Sequence, residues 1–488
     1  MIDVRFLDLA HRRLVSGEIR REIPDIINLA DINRMWFMIR PALLEFLQGP
    51  YPGPERIELV EHPKNQISVR PIARFGLRDR LIWDALGLEI SSIVDGIIPG
   101  NIYSHRGNKP SSHSVHHWLR MREKARRILR NDDRVIMART DVAAFYENVD
   151  HEIMAMDLLS AGVPQHTANT VHFFLERYQQ QSRAWGLPQG SSTSGVLANI
   201  YLLPVDELIR QSGTVHVRYS DDMYLFDTGQ DRLRATLLHA NQAMRSRRLS
   251  MSGPKTEILD REESEKYLDD SLKDTISYML GLGKPWARKM LRILFKEAIL
   301  SKPPNERDIK FALPRFRKKR DEEALAWALE HLKDLHHLSD HLMRYCEAFR
   351  LKRKDLCTAI EDLLETVDLS SYPYLERNIL QACLRGQISS PIIKEHAWRV
   401  LRDQNRTNLP REFAARYIGL HGSAADGPLL RLQYECEHQD SVHRAILVSL
   451  YEADYLPRGL LANLSKSRLD IRWTAEYLLR SPQIPMPS

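Results

Sequence analysis

Residues 215–226 read V-H-V-R-Y-S-D-D-M-Y-L-F and set two adjacent carboxylates, Asp221 and Asp222, between two runs that alternate with the period of a strand. Such a pattern predicts a hairpin with both side chains at its tip, where unpaired carboxylates repel unless a cation lies between them. Asp and Ser also favour plain surface turns, so the stretch alone reads equally well as a solvated turn. A third carboxylate at the end of another strand would separate the two readings. Asp141 is that candidate, because the strand-like run V-I-M-A-R-T (135–140) leads directly into it. Hard oxygen ligands from two strand ends suit Mg²⁺, although Asp141 equally suits a helix N-cap.

A second unusual stretch is R-A-W-G-L-P-Q-G-S-S-T-S-G-V-L-A-N-I-Y-L (183–202). Gly186, Pro188 and Gly190 predict a tight loop, and the hydroxyl run Ser191, Ser192, Thr193 and Ser194 predicts a cap for an apolar helix from Val196 onward. A glycine-flanked Gln189 at such a helix start can lie flat against a base pair.

With 488 residues the chain exceeds one ordinary core. Residues 1 to about 55 carry helical spacing and end at G-P-Y-P-G-P (49–54). Helices and strands alternate from about 56 to 265, and long helical patterns follow. The expected division is 1–265, 266–345 and 346–488. In the last part Phe413, Val442 and Ile471 fall 29 residues apart and open similar segments, which predicts stacked helix pairs. Composition, with 43% hydrophobic and 27% charged residues, excludes a disordered chain. The net charge of +6 leans towards an anionic partner. No apolar run approaches a membrane span and the start lacks the order of a signal peptide, so a cytoplasmic location without membrane association is expected. Cys346, Cys357, Cys383 and Cys436 are too dispersed for a zinc site or a disulfide framework and are expected to be buried thiols.

Taken in order, T-D-V-A-A-F-Y-E-N-V-D-H (140–151), G-L-P-Q-G-S-S-T-S-G-V-L-A-N-I-Y-L (186–202) and Y-S-D-D (219–222) resemble the three palm motifs of reverse transcriptases, most closely the bacterial branch shared with group II introns and retrons. Upstream, H-P-K-N-Q-I-S-V-R-P-I-A-R-F-G-L-R-D-R (62–80) is similar to the fingers segment of that branch. The resemblance implies an α+β right-hand polymerase, with fingers and palm, followed by an all-α C-terminal region of HEAT-like helical repeats. It implies that Asp141, Asp221 and Asp222 bind two Mg²⁺ ions, that Arg70 holds the incoming triphosphate, and that Gln189 touches nucleotide or template. Lys64 matches a basic position of the same segment, where a solvated or structural role reads as well; the same holds for Arg80. Tyr146 matches the bulky position that rejects a ribose 2′-hydroxyl, favouring dNTPs, unless it is a core aromatic. Lys255, in S-G-P-K-T-E (252–257), matches the lysine that donates a proton to pyrophosphate.

The chain departs from the pattern in Y-S-D-D for Y-A-D-D, in S-S-T-S for S-P-T-S-P, and in a primer grip reduced to Y-M-L-G-L (278–282). His336, His337 and His341 lack an acid at metal-ligand spacing and read as a solvated helix face. The basic run Arg315, Arg317, Lys318, Lys319 and Arg320 reads either as a phosphate-tracking element or as a solvated helix start. The long α-helical tail looks like the abortive-infection and other phage-defence reverse transcriptases. That resemblance implies RNA-directed DNA synthesis in antiviral defence, with protein-primed or template-independent synthesis within its range. Nucleic acid and dNTPs are the implied partners, with a homo-oligomer built through the C-terminal helices. Tyr417, Tyr434, Tyr451, Tyr455 and Tyr477 offer hydroxyls in the tail but read as packing residues. Competing readings are a retron-like or intron-derived enzyme dedicated to one structured RNA, and an inactive nucleic-acid-binding scaffold.

Overall fold

The chain divides into two units in the computed structural model, which describes residues 3–16, 23–106, 114–467 and 470–488. The first unit takes the described residues of Met1–Ile23, Arg40–Val60 and Pro71–Asp269; the second takes Pro24–Ile39, Glu61–Arg70 and Asp270–Ser488. To residue 269 the elements are α1 (Val4–Ser16), α2 (Ala30–Phe46), β1 (Ile57–Pro63), β2 (Val69–Phe75), α3 (Leu77–Val94), α4 (Ser114–Asn131), β3 (Ile136–Thr140), β4 (Val142–Ala143), α5 (His151–Ser160), α6 (Gln165–Ser182), α7 (Ser192–Gln211), β5 (Val215–Tyr219), β6 (Asp222–Asp227), α8 (Gln230–Ser246), β7 (Ser250–Met251), β8 (Glu257–Leu259) and α9 (Arg261–Leu268).

The alternation of residues 215–226 is realised in an antiparallel sheet of order β5-β6-β3-β8. Because side chains alternate between faces, Met137, Val217, Tyr224 and Phe226 fall together on one side. There they close a core with Met121, Ala125 and Leu129 of α4. Each such fully buried side chain contributes about 1.5–3 kcal/mol relative to exposure. The other face carries His216 and Arg218 against α7, where Arg218 meets Asp206 and Asn199. Helix α7 begins at Ser192, four residues before the apolar run, because Ser191 Oγ accepts from the Ser194 N–H at 3.2 Å. Close contact of α3 with α7 depends on Gly87, where a Cβ would collide with the Thr193 side chain.

The second unit continues with α10 (Ser271–Gly281), α11 (Pro285–Leu300), α12 (Glu306–Lys319), α13 (Leu325–Glu330), α14 (Ser339–Cys346), α15 (Arg353–Thr366), α16 (Pro373–Gly386), α17 (Pro391–Arg402), α18 (Asn408–His421), α19 (Asp426–Cys436), α20 (Asp440–Glu452), α21 (Arg458–Leu464) and α22 (Ile471–Leu479). Helices α14, α16, α18, α20 and α22 pack in succession, while α17, α19 and α21 each lie on the helix that follows them. Phe413 and Val442 are buried in α18 and α20 and Ile471 opens α22 half-buried, but the three stand sixth, third and first in their helices, so the 29-residue spacing does not mark one structural position.

Several details differ from expectation. The basic run closes α12 rather than opening a helix: Arg317, Lys318 and Lys319 form its last turn, where cations complement the helix dipole. Arg315 is half-buried, its guanidinium 3.5 Å from the Phe311 ring. His337 is buried rather than solvated and lies 2.7 Å from Glu306 Oε1. Cys346 and Cys383 are buried thiols, but Cys357 is half-buried and Cys436 exposed. Among the tail tyrosines Tyr417, Tyr434 and Tyr477 are buried, whereas Tyr455 is exposed and rests its ring edge where Gly427 leaves room. No helix among the described residues is long and apolar enough to cross a membrane.

The N-terminal part of the second unit is tied to its last helices by charge. Arg444 on α20 bridges Asp25 at 2.7 Å and Asp31 at 2.8 Å, and Thr474 Oγ1 donates to Asp31 at 2.7 Å. Burial alone would raise the Asp25 carboxyl, yet Arg444 outweighs it and holds it below its ordinary value. Arg444→Met leaves two carboxylates buried without their cation, which costs about 3–5 kcal/mol. The Asp25 contribution is complete above the unfolded value of about 4 and fades as pH falls through the depressed folded value. The deficit in melting temperature of Arg444→Met against wild type is therefore expected to be large at pH 7 and to shrink below about pH 4.

Candidate active site

Register brings the carboxylates together. In the β3–β6 pairing Thr140 faces Met223, so Asp141, the next residue after β3, emerges beside Asp222, the first residue of β6. Tyr219 pairs with Asp222 across the hairpin, leaving Ser220 and Asp221 as a two-residue turn. Ser220 takes a left-handed conformation at φ 57°, as tight hairpin turns require. Asp141 is not a helix cap: it links β3 to β4, and its carbonyl accepts from the Ser252 N–H at 2.7 Å.

The electrostatics are those of crowded acids. Burial, the adjacent Asp141 with its hydrogen bond, and Asp222 push the Asp221 carboxyl up to about 7. Burial and Asp141 likewise raise Asp222, against the opposing charges of Lys255 and Arg139. Lys255, at the end of the turn Gly253–Lys255, places Nζ 2.5 Å from Asp141 Oδ2. Its pKa is raised, first by that hydrogen bond. Among the described residues no three His, Cys, Asp or Glu side chains are already arranged around a metal position. The donor set nevertheless fits a hard divalent cation: three carboxylates converge at the ends of β3 and β6, and the Lys255 ammonium lies against Asp141.

Beneath the turn lies a polar support that the opening pattern did not single out. Arg218, with 0% side-chain exposure, forms a forked pair with Asp206, with Nη2 2.7 Å from Oδ2 and Nε 2.9 Å from Oδ1. Its Nη1 donates to Asn199 Oδ1 at 3.0 Å and to the Ser220 carbonyl at 2.9 Å. Ser104 Oγ accepts from the Ser220 N–H at 2.8 Å. Burial alone would raise Asp206, but Arg218 and His216 overcome it and hold the carboxyl low. The available signal was the alternation itself, which sends His216 and Arg218 to the same face of β5 and so demands a buried counter-charge.

Gln189 and Tyr146 belong to a neighbouring patch of the same unit. Gln189 Nε2 donates to Glu147 Oε1 at 3.2 Å, and the Gln189 carbonyl accepts from the Ala73 N–H at 3.0 Å. The Leu187 N–H donates to the Tyr146 carbonyl at 2.7 Å. That approach is open only because Gly186, at φ 63°, has no Cβ to strike the same carbonyl. Tyr146 is half-buried with its ring edge-on to the buried Phe145. Lys64 and Arg70 are exposed on the β1–β2 hairpin, whose tip belongs to the second unit. Arg80 is buried and paired with Asp84 at 2.7 Å, a structural ion pair on α3.

Residues 62–269 match the family described as reverse transcriptase (RNA-dependent DNA polymerase). Among solved structures the chain is similar to the telomerase of Candida albicans in complex with the TWJ fragment of telomeric RNA, with 11% identity and TM-score 0.31 over 75% of this chain and 70% of that one. It is also similar to apo telomerase from Candida tropicalis, with 10% identity and TM-score 0.34 over 70% and 74% respectively. No curated protein matches the chain.

Arg218→Met leaves Asp206 as a buried, half-compensated charge and removes a donor to the Ser220 carbonyl. A loss of about 3–5 kcal/mol is expected, read as a lowered melting temperature. Arg218→Met combined with Asp206→Leu, which removes both charges, is expected to recover most of that loss.

Proposed function

We propose that this chain, whose residues 62–269 match the reverse transcriptase (RNA-dependent DNA polymerase) family, synthesises DNA at Asp141, Asp221 and Asp222. The convergence of these three carboxylates, forced by the β3–β6 register and answered by Lys255, carries the reading. Reverse transcriptase domains generally use divalent metal ions, and these carboxylates are the residues that would hold a pair of Mg²⁺. Such ions, when bound, favour the deprotonated 3′-hydroxyl and neutralise charge on the leaving pyrophosphate.

The chain's own groups complete the site. Asp141, Asp221 and Asp222 would hold the cations as carboxylates. Lys255, freed from Asp141, supplies a proton to the departing pyrophosphate oxygen. Gln189, three residues before α7, would exchange its hydrogen bond to Glu147 for a contact with the nucleotide or template base. Arg70 offers a guanidinium fork to the triphosphate, with Lys64 as a point charge on the same hairpin. Tyr146 lies beneath the sugar and leaves no volume for a 2′-hydroxyl, which makes the substrate a dNTP.

The fingers and palm followed by an all-helical tail support a role in phage defence by abortive infection, as a bacterial enzyme of that group. The alternate packing of α14, α16, α18, α20 and α22, whose first residues lie 31 to 35 positions apart, supports HEAT-like repeats that join copies of the chain into an oligomer. Such enzymes prime unconventionally, and treating the product with protease distinguishes a protein hydroxyl from a nucleic-acid primer.

Purified protein given labelled dNTPs and Mg²⁺, with and without RNA template, is expected to extend DNA. Asp221→Ala is expected to reduce incorporation on the order of 10³-fold, and activity that survives the change would sink the site assignment. Tyr146→Ala is expected to raise incorporation of ribonucleotides relative to dNTPs by roughly 10- to 100-fold, measured as the ratio of the two kcat/KM values.

A further inference from the structure

The tip of the β1–β2 hairpin bears Lys64 and leads into Arg70. Its turn is closed locally, with the Lys64 N–H donating to the Ser68 carbonyl at 2.8 Å. Asn65 Oδ1 accepts from the N–H groups of Ile67 at 2.9 Å and Ser68 at 2.8 Å. Ile67 is 94% exposed, so the tip brings almost no apolar burial of its own. A two-stranded hairpin is at best marginal in water, and its conformation depends on what holds it.

Within the second unit the holding segment runs from Asp334 to Arg377. Gln66 Nε2 donates to the Asp334 carbonyl at 3.0 Å, and His336 Nε2 lies 3.0 Å from the Gln66 carbonyl. The His62 ring meets Tyr374 edge-on at 4.9 Å, and His336 meets Tyr372 edge-on at 5.0 Å. Burial, with the charges of Arg377 and Arg70, pushes the His62 imidazole down to about 4. At neutral pH it therefore packs as an uncharged aromatic. Beyond the tip the same strand, β2, reaches Ile72 and Ala73, whose main chain pairs with Gln189.

We propose that Tyr374 and His336 are positioning residues for nucleotide binding: they fix the hairpin tip so that Lys64 and Arg70 meet the triphosphate in a single conformation. The inference rests on the polymerase reading above, with Lys64 and Arg70 as triphosphate ligands. A hairpin released from these contacts samples other conformations, and the apparent nucleotide affinity falls by the fraction of time it is out of place. Chemistry at the aspartates is not touched, so the effect belongs in KM rather than kcat.

The test is steady-state dNTP incorporation by the full chain, wild type against Tyr374→Ala, His336→Ala and Tyr374→Phe, with melting temperatures alongside. Tyr374→Ala and His336→Ala are each expected to raise the dNTP KM by about three- to tenfold while kcat changes less than about twofold. Tyr374→Phe, which keeps the ring under His62, is expected to retain the wild-type KM. Amide exchange at residues 64–68 is expected to accelerate in the two alanine variants and not in Tyr374→Phe. An unchanged KM in both alanine variants, or a loss confined to kcat and melting temperature, overturns the proposal. A wild-type protein that incorporates no dNTP overturns the polymerase reading itself, a result distinct from an active enzyme whose KM ignores these changes.

Discussion

The structure around the three carboxylates depends on one antiparallel register, the facing of Thr140 and Met223 that sets Asp141 beside the Ser220–Asp221 turn. Like charges about 4 Å apart in a protein environment of intermediate dielectric repel by about 4 kcal/mol, so such a register is unfavourable unless positive charge is supplied. The fold supplies it in two layers. The ammonium of Lys255 relieves Asp141 directly, and the remaining repulsion with burial shows as the raised Asp221 carboxyl. Below them, the buried Asp206–Arg218 pair ties the turn to α7 through the Ser220 carbonyl. Sliding β6 by one residue against β3 would turn Asp222 and the other β6 side chains to the opposite faces and part them from Asp141, which makes register and site chemistry a single requirement.

The hydroxyl-rich loop before α7 shows how a departure in wording can leave the geometry standing. Trp83 Nε1 donates to Ser191 Oγ at 2.8 Å, Thr193 Oγ1 donates to the Trp83 carbonyl at 3.0 Å, and Ser194 Oγ donates to the Pro188 carbonyl at 2.5 Å. These side chains satisfy orphan groups of the helix start and lock it to α3, where prolines would act by restricting the backbone. Gly195 has a separate task, since a Cβ there would enter the His105 ring.

What could be read from the sequence was local in character. Period-two alternation marks β5 and β6, the strand-like run V-I-M-A-R-T marks β3, and helical spacing marks the helices, because each pattern reports on neighbours within one element. The convergence of Asp141, Asp221, Asp222 and Lys255 was legible through motif order. Arg218 escaped notice since its partner Asp206 sits twelve residues away on another element, and a charged residue on a strand looks the same whether it faces water or a buried acid. For the basic run, which reads either as a phosphate-tracking element or as a solvated helix start, composition marks a terminus without saying which one, and the cations close α12. His337 was assigned to a solvated face because its partner Glu306 lies 31 residues earlier, beyond any local pattern.

Sequence distance also obscured the make-up of the second unit. Its core draws on Pro24–Ile39, and Asp31 reaches Arg444 and Thr474 across more than four hundred residues. Arg416, fully buried on α18, pairs with Glu452 at 3.0 Å and donates to the Ile26 carbonyl. Loop closure over such a span costs only a few kcal/mol because it grows with the logarithm of length, so a handful of buried ion pairs and apolar contacts suffices to hold both ends. The helical tail is consequently no appendage. Removing it would strand Asp25 and Asp31 without their cation and leave the β1–β2 tip without Tyr374 and His336. A segment cut to residues 62–269 would keep all three aspartates and still lack the groups that fix the hairpin bearing Lys64 and Arg70.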